Sequence, residues 1–186
     1  MKTIRVAVAL MLALAASARA QQPPASSDAK AIADFDARLK NYVALHQKLE
    51  STLPALPKQA GPERVAEHRR RLAGLIVTGR PKATVGELFA PDIRAVIRRV
   101  LARVLGGPQG KSLKSAIMDE NPPGLTLKVN MLYPEDRPLA TMPPEVLKDL
   151  PKLPEELDYR FVGDDLILLD THAHVIVDFI PGAMPR

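Results

Sequence analysis

Apolar positions in the first half of the chain recur at alternating spacings of three and four, which is the period of an amphipathic helix. The first such stripe lies between residues 28 and 53 and comprises Ile32, Phe35, Leu39, Tyr42, His46, Leu49 and Leu53. Asp28 stands where a helix N-cap is expected, and Pro54 ends the helix because proline donates no backbone hydrogen bond. The pattern predicts one long N-terminal helix.

A second stripe follows after a short proline-rich stretch. Gly61-Pro62 places proline where the first turn of a helix tolerates it, and Gly79 suits the other end. The apolar positions in between are Val65, His68, Leu72, Leu75 and Ile76. A short loop between two helices favours an antiparallel hairpin, in which His46 and His68 lie at about the same level.

Residues 91–105 carry the third stripe, and this helix is basic. Its apolar positions face inward, Asp92 complements the helix dipole in the first turn, and Gly106-Gly107-Pro108 ends it. Four arginines cover much of the remaining surface: Arg94, Arg98, Arg99 and Arg103. Residues 111–118 are expected to form one short further helix.

From residue 121 onward, helical periodicity gives way to strands and prolines. Residues 125–132, 159–162, 166–169 and 174–180 are rich in β-formers, and Gly163-Asp164-Asp165 is a good hairpin turn. The stretch 134–154 is proline-rich, with one helical turn at 144–150. The chain is therefore expected to have an α+β fold. Its helical region at 28–118 consists of an N-terminal helical hairpin and a third, basic helix. This region packs on a small C-terminal antiparallel sheet within 119–186.

The first twenty residues have the pattern of a secretory signal peptide. Lys2 and Arg5 precede an apolar run at 6–16, and Ala18-Arg19-Ala20 supplies the small residues at a cleavage site. The run is too short to span about 30 Å of hydrocarbon, and no later segment reaches transmembrane length. We expect cleavage after Ala20, a disordered leader at 21–27, and export to the periplasm or the extracellular medium.

Composition limits the chemistry of the exported chain. There is no cysteine, which excludes disulfides, thiolate catalysis and cysteine-held metals. The net charge of +5 falls to +2 once the signal leaves. The remaining charge is uneven, because residues 58–103 are basic and residues 104–186 are acidic. Either the two halves pack against each other or each half faces its own partner.

The C-terminal part resembles a family of uncharacterised exported bacterial proteins. Residues 139–180 read LATMPPEVLKDLPKLPEELDYRFVGDDLILLDTHAHVIVDFI, and the family ending is PP-LL--LP-LP--LEYRFVG--LIL-D---N-IVDFIP. Upstream residues that also fit the family are His68, Gly86, Leu88, Phe89, Arg94, Val129-Asn130 and Tyr133-Pro134. The resemblance implies export and no particular activity.

The closing hairpin is also similar, over about twenty residues, to that of RcnB-like periplasmic nickel and cobalt homeostasis proteins. The first family's ending does not require histidine at 172 or 174. Any metal role for His172 and His174 is therefore particular to this chain.

The four histidines are the candidate metal ligands. On an extended strand, Asp170, His172 and His174 would share one face, and imidazole suits nickel, copper or zinc. The alternative is that residues 170–173 form the hairpin turn, which leaves His174 alone. His46 and His68 would share a metal or proton between two helices, or would be hydrogen-bonded seam histidines with lowered pKa values.

A candidate anion or partner patch consists of Arg69, Arg70, Arg94, Arg98, Arg99 and Arg103. It would face an anionic surface or an envelope protein, or else form a solvated face neutralised by the acidic half. Export and the scarcity of aromatic residues argue against nucleic acid as a partner.

No motif of a serine hydrolase, zinc protease or nucleotide-binding loop occurs. No cofactor is predicted. We therefore expect a non-enzymatic exported binding protein with an unknown envelope partner. The alternative is a periplasmic protein that binds a divalent metal through His46, His68, His172 and His174. An enzyme ranks third.

Overall fold

The computed structural model describes residues 25–119, 121 and 124–186. The predicted signal peptide and the first part of the leader lie outside the described residues. The first helix, α1, spans Ala25–Glu50, so the predicted leader is wrong for residues 25–27. Those residues, Ala-Ser-Ser, make the first turn directly after two prolines. Asp28 therefore lies inside the first turn, where its negative charge interacts favourably with the helix dipole.

Helix α2 spans Pro62–Gly79, α3 spans Pro91–Leu105 and α4 spans Gly110–Asp119, and a single turn, α5, spans Pro144–Leu147. Proline lies at the start of helices α2, α3 and α5, and glycine lies at the end of α2 and directly after α3. The predicted helical hairpin and third helix are confirmed, and α1 packs against both α2 and α3. Each proline lies in the first turn, where no backbone donor is needed.

The C-terminal part is a four-stranded antiparallel sheet, which confirms the α+β fold. Strand β1 spans Met131–Leu132, β2 spans Leu157–Val162, β3 spans Asp165–Asp170 and β4 spans Val175–Ile180. The strand order is β1-β4-β3-β2, so the last three strands form the predicted meander.

The predicted strand at 125–132 is wrong over most of its length. Only its last two residues pair with β4, and the backbone before them is irregular. Asn130 adopts a left-handed conformation with φ of 64°, which breaks the strand. Its side-chain amide donates to the Arg80 carbonyl at 2.9 Å and accepts from the Arg80 guanidinium at 3.0 Å. These two bonds fix the turn that precedes β1.

Apolar side chains cover both faces of the sheet. One face packs on the helices through a cluster that contains Phe35, Leu72, Ile97, Leu168 and Val177. The opposite face carries Val162, Ile167, Leu169, Ile176 and Phe179, and the irregular segment covers it with Leu125, Leu127 and Val129. The chain thus has three layers: helices, sheet and an extended strap.

A buried carboxylate in β4 holds the α2–α3 connection. Asp178 accepts backbone hydrogen bonds from Gly86, Leu88 and Phe89, each at 2.8 Å. Gly86 has a φ of 91°, so this turn needs a residue without a side chain. The connection is thereby fixed against the sheet, and with it the start of α3.

In the part of the chain that the structure describes, no helix combines the length and the apolar character needed to cross a membrane.

Candidate metal centre

The site begins with a histidine at the centre of the fold. His46 is on the face of α1 that meets the sheet, and its side chain is completely buried. Its Nδ1 lies 2.6 Å from Oδ2 of Asp170, the last residue of β3. Because an ionised carboxylate only accepts, Nδ1 carries the proton. The other ring nitrogen, Nε2, points toward Glu50, one helical turn further on.

Asp170 is a fully buried carboxylate that accepts three hydrogen bonds. Besides the bond from His46, it accepts one from the Tyr42 hydroxyl at 2.5 Å and one from the backbone N–H of Ala173 at 2.7 Å. The last bond closes the turn between β3 and β4, as the turn interpretation of residues 170–173 predicts. Asp170 therefore orients His46 and does not join His172 and His174 in a row.

Glu50 is the meeting point of three imidazoles. Its carboxylate lies 3.2 Å from His46 Nε2, 3.2 Å from His172 Nδ1 and 3.5 Å from His68 Nε2. These residues come from α1, α2 and the β3–β4 turn. The ligand atoms of His46, Glu50 and His172 all lie within 4.8 Å of one another, a spacing at which one metal ion can be held.

The site is closed on the side of the core and open on the other. His46 lies at its base, Glu50 is part-exposed and His172 is exposed. The ring centroids of His46 and His172 are 5.2 Å apart. Two adjoining clefts open beside them. One, of 450 Å³, is lined by Glu50 and His68, and the other, of 260 Å³, by Glu50, His68 and His172.

Charge within the cluster changes its titration. Burial lowers the pKa of His46, but the hydrogen bond and the charge of Asp170, together with Glu50, outweigh this and raise it above the ordinary value. The expected lowering of a seam-histidine pKa is therefore wrong for His46, because two carboxylates accompany it. Burial raises the pKa of Glu50, yet contacts with His172 and His46 bring it below its usual range.

The arrangement has the chemistry of a transition-metal site. Two imidazoles and one carboxylate form a ligand set that zinc and related ions accept with an open position. A metal-binding histidine commonly donates its second N–H to a carboxylate, which fixes the ring and the tautomer. Asp170 does this for His46 and leaves Nε2 free of its proton whenever the ring is neutral.

The structure brings together His46 and His172, with His68 at the edge of the cluster, and it separates His174 from them. His174 has a left-handed backbone with φ of 57° and packs edge-on against Tyr133 at 5.7 Å. Its Nδ1 is buried without a hydrogen-bond partner among the described residues. The turn at 170–173 interrupts the alternation of a strand, so residues 172 and 174 no longer share a face.

Sequence reasoning missed Glu50, the carboxylate that joins the cluster. The signal is its position four residues after His46, since such pairs are neighbours on a helix face. Glu50 lies at a helix end, where charged residues are common, so the spacing alone does not identify it as a site residue. Its role follows from the approach of α2 and the β3–β4 turn, which is a tertiary property.

Five of the six arginines in the predicted anion patch bind groups of the protein itself. The pairs are Arg69 with Glu135, Arg94 with the Phe89 carbonyl, Arg98 with the Gly182 carbonyl, Arg99 with Asp28, and Arg103 with Asp149. Arg70 is exposed. Three of the pairs join the basic half to the acidic half, those of Arg69, Arg98 and Arg103, as internal packing of the two halves requires.

Comparison with known proteins finds no matching family model, no curated relative and no similar solved structure. The geometry around Glu50 is therefore the basis on which a function is assigned.

Proposed function

We propose that this chain is an exported protein that binds a divalent transition metal through His46, Glu50 and His172. The observation that carries the proposal is the convergence of these three ligands on one point from helix α1 and the β3–β4 turn. His68, from α2, lies 3.5 Å from Glu50 at the edge of this ligand set. The N-terminal signal pattern supports the export part of the proposal.

Two features favour a transition metal over calcium or magnesium, and a third gives an ion access to the site. The set is rich in nitrogen, and hard cations prefer six or more oxygens. Asp170 accepts a buried hydrogen bond of 2.6 Å from His46, as the carboxylate behind a metal-binding histidine commonly does. The side chain of Glu50 is about one-third exposed, so an ion can enter from the solvent side.

Isothermal titration of the mature protein, from Gln21 onward, with Zn²⁺, Cu²⁺ and Ni²⁺ tests the proposal. We expect one ion per chain with a Kd of about 1 μM or tighter for at least one metal. His172→Ala removes an exposed ligand and weakens binding by about tenfold or more, because one of three donors is lost. No binding tighter than about 100 μM for any of the three ions would refute the proposal.

The control variant is His174→Asn. His174 is also a histidine of the same turn, but it lies outside the cluster, and asparagine accepts its left-handed backbone. We expect wild-type metal affinity. Equal losses in both variants would mean that the metal binds to scattered histidines and not to the proposed centre.

Export is tested separately by the mass of the protein recovered from the periplasm or medium. A chain that begins at Gln21 is expected, and a full-length chain in the cytoplasm would contradict it.

A further inference from the structure

The smaller cleft beside the candidate centre has a cationic wall. Its 260 Å³ are bounded by Glu50, His68 and His172 on the ligand side and by Arg69, which follows His68 on α2. Leu56, Val65 and Thr171 complete the lining. Arg69 is thus the residue that brings a permanent positive charge to the mouth of the proposed metal site.

Arg69 has hydrogen-bonding capacity that the fold does not use. Its Nη1 is 4.0 Å from the Glu135 carboxylate, the outer limit of an ion pair. Its Nε is buried and has no hydrogen-bond partner among the residues that the structure describes. The guanidinium is therefore only loosely paired within the fold and can donate to an acceptor that enters the cleft.

A metal with three protein ligands retains an open coordination position. Glu50 and His172 line the cleft while His46 lies behind them in the core, so an ion held by these residues would be reached through the cleft that Arg69 also lines. A divalent ion with one carboxylate ligand keeps a positive charge, to which the guanidinium adds another. An anion with two oxygens can place one on the metal and the other on the guanidinium fork.

We propose that the metal centre takes a small oxyanion as an external ligand, coordinated in the 260 Å³ cleft and hydrogen-bonded by Arg69. The inference rests on the proposed metal site. A cleft of this volume suits a ligand of a few heavy atoms. Acetate and inorganic phosphate have the required chemistry and a suitable size.

The test uses the full mature protein loaded with Cu²⁺, whose visible and electron paramagnetic resonance spectra report exogenous ligands. Acetate and inorganic phosphate are titrated separately at constant ionic strength, which distinguishes carboxylate from inorganic sources. We expect saturable spectral change with a Kd in the low-millimolar range or tighter for at least one of them. Arg69→Gln is expected to weaken this Kd at least about tenfold while Cu²⁺ affinity stays within about threefold.

Two further variants make the assignment specific. Arg70→Gln removes the neighbouring, exposed arginine and is expected to leave the oxyanion Kd unchanged. Glu135→Gln removes the carboxylate that competes for Arg69 and is expected to tighten oxyanion binding. Because the expected change in oxyanion affinity is opposite to that of Arg69→Gln, the proposal stays testable even if Arg69→Gln folds poorly.

The failures of the two proposals are distinguishable. If Cu²⁺ binds tightly but neither anion perturbs its spectrum up to about 50 mM, the oxyanion site is refuted and the metal site stands. Equal anion affinity in wild type and Arg69→Gln would also refute the oxyanion site and leave the metal site standing. If none of Zn²⁺, Cu²⁺ and Ni²⁺ binds, both proposals fail together.

Discussion

At the scale of single residues, Asp170 decides the properties of the centre. It is buried, accepts from Tyr42, His46 and Ala173, and raises the pKa of His46 despite burial. Burial and the charge of Asp170 in turn raise the pKa of Tyr42 far above its ordinary value, so the phenol remains a donor. The carboxylate therefore accepts three hydrogen bonds from the fold itself, and these fix the ring of His46.

Replacing this carboxylate tests its role as a positioning group. Asp170→Asn should weaken metal binding by about 10- to 100-fold, because the amide no longer holds the Nδ1 proton of His46 as a charged acceptor. It should also lower the free energy of unfolding by about 2 kcal/mol. Calorimetric titration and urea denaturation measure the two effects.

The matched control is Asp158→Asn on the neighbouring strand. Asp158 is half-buried and pairs with Arg160, away from the centre. Wild-type metal affinity is expected. An Asp170→Asn protein that folds and binds metal as the wild type does would show that the carboxylate has no part in the site.

Single residues were also where sequence reasoning was weakest. The pattern identifies His46 and His68 as seam residues, because they fall on apolar stripes. It does not identify Glu50 as their shared partner, because a charged residue near a helix end is common. It leaves open whether His174 joins His172 on a strand or is separated from it by a turn, because the left-handed backbone at residue 174 depends on the turn geometry.

At the scale of elements, the site depends on how three segments approach each other. Helix α1 supplies His46 and Glu50, α2 supplies His68, and the β3–β4 turn supplies His172. The bounds of α1, α2 and α3 were predictable to within a few residues because prolines and glycines mark their ends. The strand at 125–132 was not, because the bonds between Asn130 and Arg80 override the β-propensity of that stretch.

Asp178 holds the connection between α2 and α3, so removing this carboxylate should destabilise the fold. Asp178→Ala removes a charged acceptor from the backbone donors of Gly86, Leu88 and Phe89. We expect the free energy of unfolding to fall by about 3 kcal/mol, since buried donors on three residues lose their acceptor. Urea denaturation measured by circular dichroism gives the value.

Asp136→Ala serves as the comparison, because Asp136 is an exposed aspartate in the proline-rich segment. Its expected effect is within about 0.5 kcal/mol. Similar losses in the two variants would mean that the Asp178 bonds do not stabilise the connection.

At the scale of the whole molecule, a chain without cysteine is held by aliphatic packing on both faces of one sheet. The α+β class was predictable from the change of period near residue 121. The covering of the second face by an irregular strap was not, because Leu125, Leu127 and Val129 alternate as a strand would. The uneven charge is in part internal, as the Arg69–Glu135 and Arg103–Asp149 pairs show.

Metal binding should stabilise the whole fold, because the ligands come from both the helical and the sheet parts. At a free metal concentration of 100 times Kd, linkage gives about 2.7 kcal/mol. For a chain of this size we expect the melting temperature to rise by about 5–10 °C. Differential scanning calorimetry with and without Zn²⁺ measures it. His172→Ala should show a much smaller rise, and an equal rise in that variant would place the stabilising ion elsewhere.

The most direct test of the central claim is to locate the ion. Crystals of the mature protein grown with Zn²⁺ should give one strong anomalous difference peak at about 2.0–2.2 Å from His46 Nε2, the Glu50 carboxylate and a His172 ring nitrogen. A peak at that position would support the assignment of all three ligands. A well-ordered cluster without a peak, or peaks only at His174 and surface carboxylates, would contradict it.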